Sequence, residues 1–398
     1  MELKAGYKKT EVGIIPEDWK VASIEYVSKP KGIVRGPFGG ALKKSFFVKE
    51  GFKVYEQKNA IYQSVNLGRY FVDDKKFQEL KRFSVNKGDF IISCSGTIGK
   101  IFQIPKEFKK GIINQALLKL TLDNNLINSN YFYYQFTDDK FQSKVIDDTQ
   151  GGAMKNLVGI SKFKKTLFPL PPLPEQKAIA TVLSDTDNLI QALEKKIAKK
   201  QLIKKGAMQK LLSPTDPTTG KIKDGWEVKR LGDICEIRKG QLITSSTKID
   251  GEIPVIAGGK IPAYYHKYSN RKGKTITISA SGANAGYVAF YKKPIFASDC
   301  STISENKNYS IEFIYFFLQN VQSNIYKSQT GGAQPHIHPN DLKPIEIPFF
   351  LLDKQTRIAK ILSDMDSEIE TLEKKLKKYK QIKQGLMQVL LTGKIRLV

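Results

Sequence analysis

The chain has 398 residues, 40% hydrophobic and 10% aromatic, enough for two or three ordinary domains with real cores and too apolar for wholesale disorder. Sixty-five Lys and Arg against 39 Asp and Glu leave a net charge of +26, spread over every segment without a basic tail, which suits an extended polyanionic partner better than a Lys-rich composition alone explains. No run approaches the roughly 18–20 apolar residues of a membrane span, the opening MELKAGYKKTEVGII lacks a signal-peptide core, and Cys94, Cys235 and Cys300 are too few and too scattered for a disulfide framework or a zinc motif, so a cytoplasmic protein is expected.

Residues 1–174 read as a mixed α and β block. Arg35 and Lys43 border the glycine-rich stretch Gly36–Gly40. Lys87 to Ser93 is a turn feeding an apolar strand, followed by the glycine loop Ser95-Gly96-Thr97-Ile98-Gly99-Lys100. The aromatic stretch Tyr131 to Phe141 reads as a helix packed into the core rather than a base-stacking surface. Gly151-Gly152-Ala153 then precedes Lys155 and Asn156, and prolines between Pro169 and Pro174 bar the next helix from starting earlier.

That helix, 175–212, is repeated. It aligns without a gap to 354–391 at an offset of 179, with 20 of 38 positions identical, among them Gln176/Gln355, Asp187/Asp366 and Leu193-Glu194-Lys195-Lys196 over Leu372-Glu373-Lys374-Lys375. Ile179, Leu183, Ile190, Leu193 and Ile197 follow heptad steps, as do Ile358, Leu362, Met365, Ile369, Leu372 and Leu376. Each copy predicts a rod of about 57 Å, and two such seams in one chain pack most simply on each other, antiparallel about a pseudo-twofold axis. Gly206 and Gly385 mark a kink or a close crossing near the far ends.

The repeat continues outward. Pro169 matches Pro348, and Gly151-Gly152-Ala153 matches Gly331-Gly332-Ala333. Thr219-Gly220-Lys221-Ile222 matches Thr392-Gly393-Lys394-Ile395, with an insertion around SPTDPT in the first copy, and Trp226-Glu227-Val228 matches Trp19-Lys20-Val21. The second block, 213–352, answers the first with a strand Thr275 to Ser279, a loop Ser281 to Gly286 and a helix Ile311 to Ile325. A second helical segment, 353–398, closes the chain. Its TGKI ends where the N-terminal block begins, as in a ring that has been cut. The architecture is therefore α+β (mixed α/β): two globular domains with twisted sheets, separated by two long antiparallel coiled-coil helices.

Catalytic signatures are missing. Gly273-Lys274-Thr275 has Tyr268 where a phosphate-binding loop needs glycine. No Gly-x-Gly-x-x-Gly opens a helix after a strand, and no Asn-Pro-Pro-aromatic run is present. Three histidines cannot furnish several acid–base sites, and His336-x-His338 has no cysteine or carboxylate close enough in sequence for a metal site. Fragments such as Glu227-Val228-Lys229 lack a paired aspartate. No catalysis and no metal are expected in this chain.

PLPPLPEQ at 169–176 running into the helix, its copy at 353–391 with LLTGKIRL, and the opening GYKKTEVGIIPEDWKV resemble the specificity subunits of type I restriction-modification systems over nearly the whole chain. The second copy departs in having Leu-Leu-Asp-Lys-Gln at 351–355 instead of the proline-rich entry. The resemblance implies two target-recognition domains on double-stranded DNA, each reading half of a bipartite site, and helices that dock two methyltransferase subunits. It implies no cofactor here: S-adenosylmethionine, used for adenine N6 methylation of a flipped base, belongs to the methyltransferase partner, and ATP and Mg to restriction/translocase subunits. No membrane is involved.

Base edges are read mostly by Arg, Lys, Asn and Gln, and glycine loops let backbone approach phosphate. Candidates in the first block are Arg35, Lys43, Lys100, Lys155 and Asn156. In the second they are Arg238, Lys239, Gln241, Lys260, Arg271, Lys272, Asn284, Gln334 and His336, the last two standing out because they follow the repeated Gly-Gly-Ala. An asymmetric target of about 3–5 plus 3–5 bp with an unread gap of about 5–8 bp follows from half-site spacing on one duplex face. The alternative is a coiled-coil interaction scaffold without sequence-specific duplex binding.

Overall fold

The computed structural model describes residues 5–147, 156–331 and 334–397. The chain divides into two compact units, Met1–Ala192 with Leu376–Val398, and Leu193–Lys375. Each long helix contributes one part to each unit.

The first unit is built on a four-stranded antiparallel sheet in the order Ser28–Arg35, Leu117–Leu122, Phe90–Ser93, Ile101–Gln103. The apolar run Phe90 to Ser93 is buried at every position because both faces of the sheet are covered. Phe90 and Ile92 join Phe132, Phe136 and Phe141 of the helices Ser129–Thr137 and Asp139–Val145. Ile91 turns to the other face, with Tyr55, Ile113 and Leu117. That face carries a three-stranded sheet, Phe71–Val72, Phe52–Tyr55, Gly111–Ile113, whose last pair is parallel. The stretch read as one aromatic helix is two, since Asp138 ends the first in extended backbone and accepts the first-turn N–H groups of Lys140 and Phe141 in the second.

The second unit repeats this topology with other side chains. Its four strands run Arg238–Lys239, Cys300–Ser304, Thr275–Ser279, Val288–Tyr291, and its three-stranded sheet runs Tyr264–His266, Ile253–Ile256, Phe296–Ala297, again with a parallel last pair. Ile276, Ile278 and Ile303 pack with the helix Ile311–Asn320. On the other face Thr275, Thr277, Thr302, Ser279 and Cys300 are buried, and Arg271 reaches in to donate from Nε to Thr302 Oγ1 at 3.0 Å.

The long helices span Leu173–Leu212 and Leu352–Leu390. The repeated glutamines anchor both starts. Gln176 accepts from the Asn128 N–H at 2.8 Å and donates to the Pro171 carbonyl at 2.8 Å. Gln355 accepts from the Ser310 N–H at 3.1 Å and donates to the Phe350 carbonyl at 2.7 Å. The second helix thus begins at the equivalent place without the proline entry.

Within each unit the two helices run antiparallel. In the first, Lys383 pairs with Asp187 at 2.6 Å, and Ile179 and Leu183 share a core with Leu390 and Leu391. In the second, the equivalent pair is Lys204 with Asp366, beside Lys200 with Glu368 at 2.8 Å, and Met208 and Leu212 share a core with Ala359 and Leu362. Among the other seam residues, Ile190, Leu193, Ile197 and Ile369 are buried and Ile358, Met365, Leu372 and Leu376 half-buried.

Gly206 and Gly385 correct the expectation. Both helices continue through them, and an added Cβ would meet nothing within 4 Å at either. They are not close crossings but exposed helix positions.

The cut-ring order is physical. In the second unit the chain runs from the first long helix through 213–226 into the strand Glu227–Arg230, which pairs with Glu346–Phe349, Val228 opposite Pro348. Lys223 Nζ caps the helix by donating to the Lys210 and Ser213 carbonyls at 3.0 and 2.7 Å, and lies 4.6 Å from the Trp226 ring. In the first unit the same arrangement forms between the two chain ends. Lys20–Ser23 pairs with Leu167–Leu170, Val21 opposite Pro169, and Arg396, at the position equivalent to Lys223, lies 5.9 Å from the Trp19 ring. Arg396 pairs with Glu175 at 2.6 Å and Asp18 at 2.8 Å, Trp19 Nε1 donates to Glu175 at 2.8 Å, and Tyr7 donates to the Gly393 carbonyl at 3.0 Å. Glycine is required at 393, where φ is +70° and a Cβ would strike Pro16.

Two predictions follow from this architecture. Joining the termini and reopening the chain near Thr215 should give a permutant that folds with the helix content of the parent chain; circular dichroism showing an unfolded chain would mean the terminal contacts do not hold the ends. Gly206→Ala and Gly385→Ala should each stabilise by about 0.5–1 kcal/mol, read as a raised urea midpoint.

Candidate nucleic-acid interface

In each unit, loops from four strands meet at one end of the central sheet. In the first, the Gly36 N–H donates to the Leu117 carbonyl at 2.9 Å, the Cys94 N–H to Ala116 at 2.9 Å and the Asn114 N–H to Tyr55 at 3.0 Å. Gln57 Nε2 binds the Ser95 carbonyl and, at 3.1 Å, that of Thr97. This ties 36–38, 56–57, 95–99 and 114–116 into one rim. Asn114 and Gln115 line a cleft of about 180 Å³ there with Pro37, Lys44, Glu56 and Tyr70.

The second unit builds the same rim. The Gly240 N–H donates to the Cys300 carbonyl at 2.8 Å and that of Gln241 to Ala297 at 2.9 Å. Ser279 Oγ donates to the Gly258 carbonyl at 3.0 Å, and Ser281 Oγ binds the Asp299 carboxylate. A fifth loop seats on it: the Gly282 N–H donates to Pro335 at 3.1 Å, the Ile337 N–H to Ala280 at 2.9 Å, and Ser281 forms an isolated bridge with His336. Gly36 and Gly240 hold equivalent places, where a Cβ would fall 1.8 Å from the Asn114 carbonyl oxygen and 2.0 Å from that of Ser298.

The candidates separate accordingly. Gln241, Lys260, Asn284, Gln334 and His336 all belong to the rim loops of the second unit, with Lys260 Nζ 5.4 Å from the Tyr287 ring. Lys239, exposed, precedes Gly240 at the same rim. Arg238 is held by Glu236 through two 2.7 Å bonds. Arg271 braces the sheet, donating also to the Asn270 and Lys239 carbonyls at 2.8 and 3.2 Å, and burial pushes its pKa down. Lys272 precedes the strand Thr275–Ser279 and sits at its opposite end from the Ser281–Gly286 loop.

In the first unit, Arg35 stands at the rim with its guanidinium 5.8 Å from the Phe38 ring. Lys43 and Lys100 are exposed, the latter following the Gly96–Gly99 loop. Lys155 and the Gly151-Gly152-Ala153 loop lie outside the described residues, as do Gly332 and Ala333. Asn156 pairs through its backbone with Asp147, and its side chain is not among those described.

Sequence reasoning passed over Phe38, Gln57, Asn114, Gln115 and Leu242. The basic-glycine pairs Arg35-Gly36 and Lys239-Gly240 were a usable signal, but they lie 204 apart, off the offset of the helical repeat. Among the described residues no group of three or more His, Cys, Asp or Glu is placed to hold a metal. Burial pushes the Cys94, Cys235 and Cys300 thiols up to about 12, so none is a nucleophile near neutral pH. No helix among the described residues is long and apolar enough to cross a membrane.

A family model described as the type I restriction modification DNA specificity domain matches residues 16–204 and again 223–384. The chain belongs to this family. Each matched span takes in one globular block and the greater part of the long helix that follows, so this specificity subunit carries two domains for DNA sequence recognition, which sets aside the reading as a scaffold indifferent to sequence. It is similar to the type I restriction enzyme MjaVIII specificity subunit of Methanocaldococcus jannaschii, 26% identical over 96% of this chain and 94% of that one. The MjaIX specificity subunit of the same organism is 24% identical over 98% and 96%. The crystal structure of a type I restriction-modification S subunit from M. genitalium has the same fold, with a TM-score of 0.64 at 19% identity over 98% of both chains.

Gly36→Ala and Gly240→Ala should each cost about 1–3 kcal/mol, because the added methyl must push the facing loop backbone away. Chemical denaturation checks this, with Lys100→Ala as an exposed control that leaves the midpoint unchanged.

Proposed function

We propose that the two units each read one half of an asymmetric bipartite DNA site, and that this chain supplies the address of a methylating complex and none of its chemistry. The observation that carries this reading is the duplicated rim: the same loops at the same end of the same sheet, with different side chains. Ser95-Gly96-Thr97-Ile98-Gly99 stands where the second unit has Ser281-Gly282-Ala283-Asn284-Ala285-Gly286, and the closing bonds match, Gly99 N–H to Ser93 at 2.9 Å and Gly286 N–H to Ser279 at 2.7 Å. A spacer has no use for two heads of one topology and two surfaces. Equal scaffolds with unequal edges suit unequal half-sites.

Lys and Arg near the rims hold phosphates, and amide, imidazole and guanidinium groups meet base edges. The long helices set the unread gap and dock two methyltransferase subunits, where S-adenosylmethionine is used on adenine N6. Restriction subunits with ATP and Mg join through the complex, and its place of action is the cytoplasm. The family membership and the positive charge support this assembly.

Co-expression with a neighbouring methyltransferase and single-base mapping of methylated adenine tests it. The expected result is a bipartite motif with a fixed gap and two different halves. A contiguous motif, or none with an active methyltransferase, would overturn the two-reader reading.

A further inference from the structure

Both units project a large apolar side chain from the same point of the fold. Two residues beyond the equivalent glycines 36 and 240, Phe38 is 66% exposed and Leu242 74% exposed. Neither belongs to a hydrophobic cluster of its unit. Burying such a side chain is favourable, and both units forgo it at the same position.

The flanking sequences have otherwise diverged, Pro37-Phe38-Gly39-Gly40 against Gln241-Leu242-Ile243-Thr244. What they share is a cation, a glycine and an exposed apolar residue, in that order. Arg35 lies against Phe38, and exposed Lys239 precedes Gly240. The neighbouring rim loop adds a second apolar tip in each unit, Tyr62 at 71% and Ile261 at 76% exposure. An apolar tip beside a cation matches duplex DNA, where base faces and thymine methyls lie within a few ångströms of phosphates.

We propose that Phe38 and Leu242 are specificity-determining residues that make apolar contact with the bases of duplex DNA, one in each half-site. This rests on the reading of the two units as half-site readers. The adjacent cations hold the backbone, and the tip discriminates the base that can receive it.

The test uses the full chain co-produced with its methyltransferase, as wild type, Phe38→Ala, Leu242→Ala and Phe38→Leu. Methylated adenines are mapped, and binding to a duplex bearing the mapped wild-type motif is measured against salt. Each alanine variant should lose about tenfold in affinity for that duplex. Phe38→Ala should relax letters in one half of the motif and Leu242→Ala letters in the other. The slope of log affinity against log salt should stay as in wild type, since no phosphate contact is removed, and Phe38→Leu should keep most of the discrimination. Unfolding midpoints should match wild type, both side chains being exposed. Wild-type stringency in both alanine variants would overturn the proposal. So would loss of methyltransferase co-purification with duplex affinity intact, which would assign the tips to a protein interface. A wild-type chain that yields no bipartite motif fails the two-reader reading itself, whereas a bipartite motif untouched by either alanine fails this proposal alone.

Discussion

Two buried glutamine amides decide how everything else is mounted. Gln176 and Gln355 are almost wholly removed from water, so each amide must find protein partners or cost a few kcal/mol. The partners come from two directions, the turn entering the long helix and the loop that opens the aromatic helix of the preceding block. Each amide therefore fixes a globular block on the end of a helix. The equivalent pairs Asp187 with Lys383 and Asp366 with Lys204 then set the two helices antiparallel in both units. Identity in the helical repeat falls on these residues because they bear on geometry.

With the mounting fixed, the loops at the sheet ends are free to vary. In the first unit the second sheet face carries Ile91 and Leu117 together with the buried Lys119 and Ser93. In the second it carries Thr275, Thr277 and Thr302, with Arg271 donating to Thr302, beside an apolar cluster of Cys300, Ile256, Ile295 and Ala297. Two different interiors support one strand order, and the rims inherit the backbone path without inheriting side chains. This is how one chain carries the same strand order twice with different side chains at the rims.

The positive charge is divided between frame and surface. Arg396 closes the chain ends against Glu175, Lys223 caps a helix, Lys119 is buried and donates to the Ser84 carbonyl at 2.7 Å, and Arg271 braces a sheet. These cations serve folding. Lys43, Lys100, Lys239 and Lys260 stay exposed near the rims. The net charge points to a polyanion, but it does not say which cations meet it.

Much of this was legible in the sequence. The helical repeat, the heptad seam and the strand-loop-helix order of both blocks are carried by contacts between residues close in sequence or by an ungapped duplication, and the cut-ring order by short motifs that recur despite an insertion, so pattern reveals them. The glycines at 206 and 385 misled, because a glycine in a helix reads the same whether a neighbour crowds it or water does. The rim was only half legible. Its glycine loops showed, but Arg271 and Arg238 were indistinguishable from surface cations, and Phe38, Leu242, Asn114 and Gln57 gave no sign. Their roles depend on which strand ends come together, and strands as far apart as 28–35 and 117–122 meet only through sheet pairing. Sequence by itself determined the class of the protein and its internal symmetry. Tertiary structure alone decided which side chains share a surface, because that surface is assembled from loops that no local period connects.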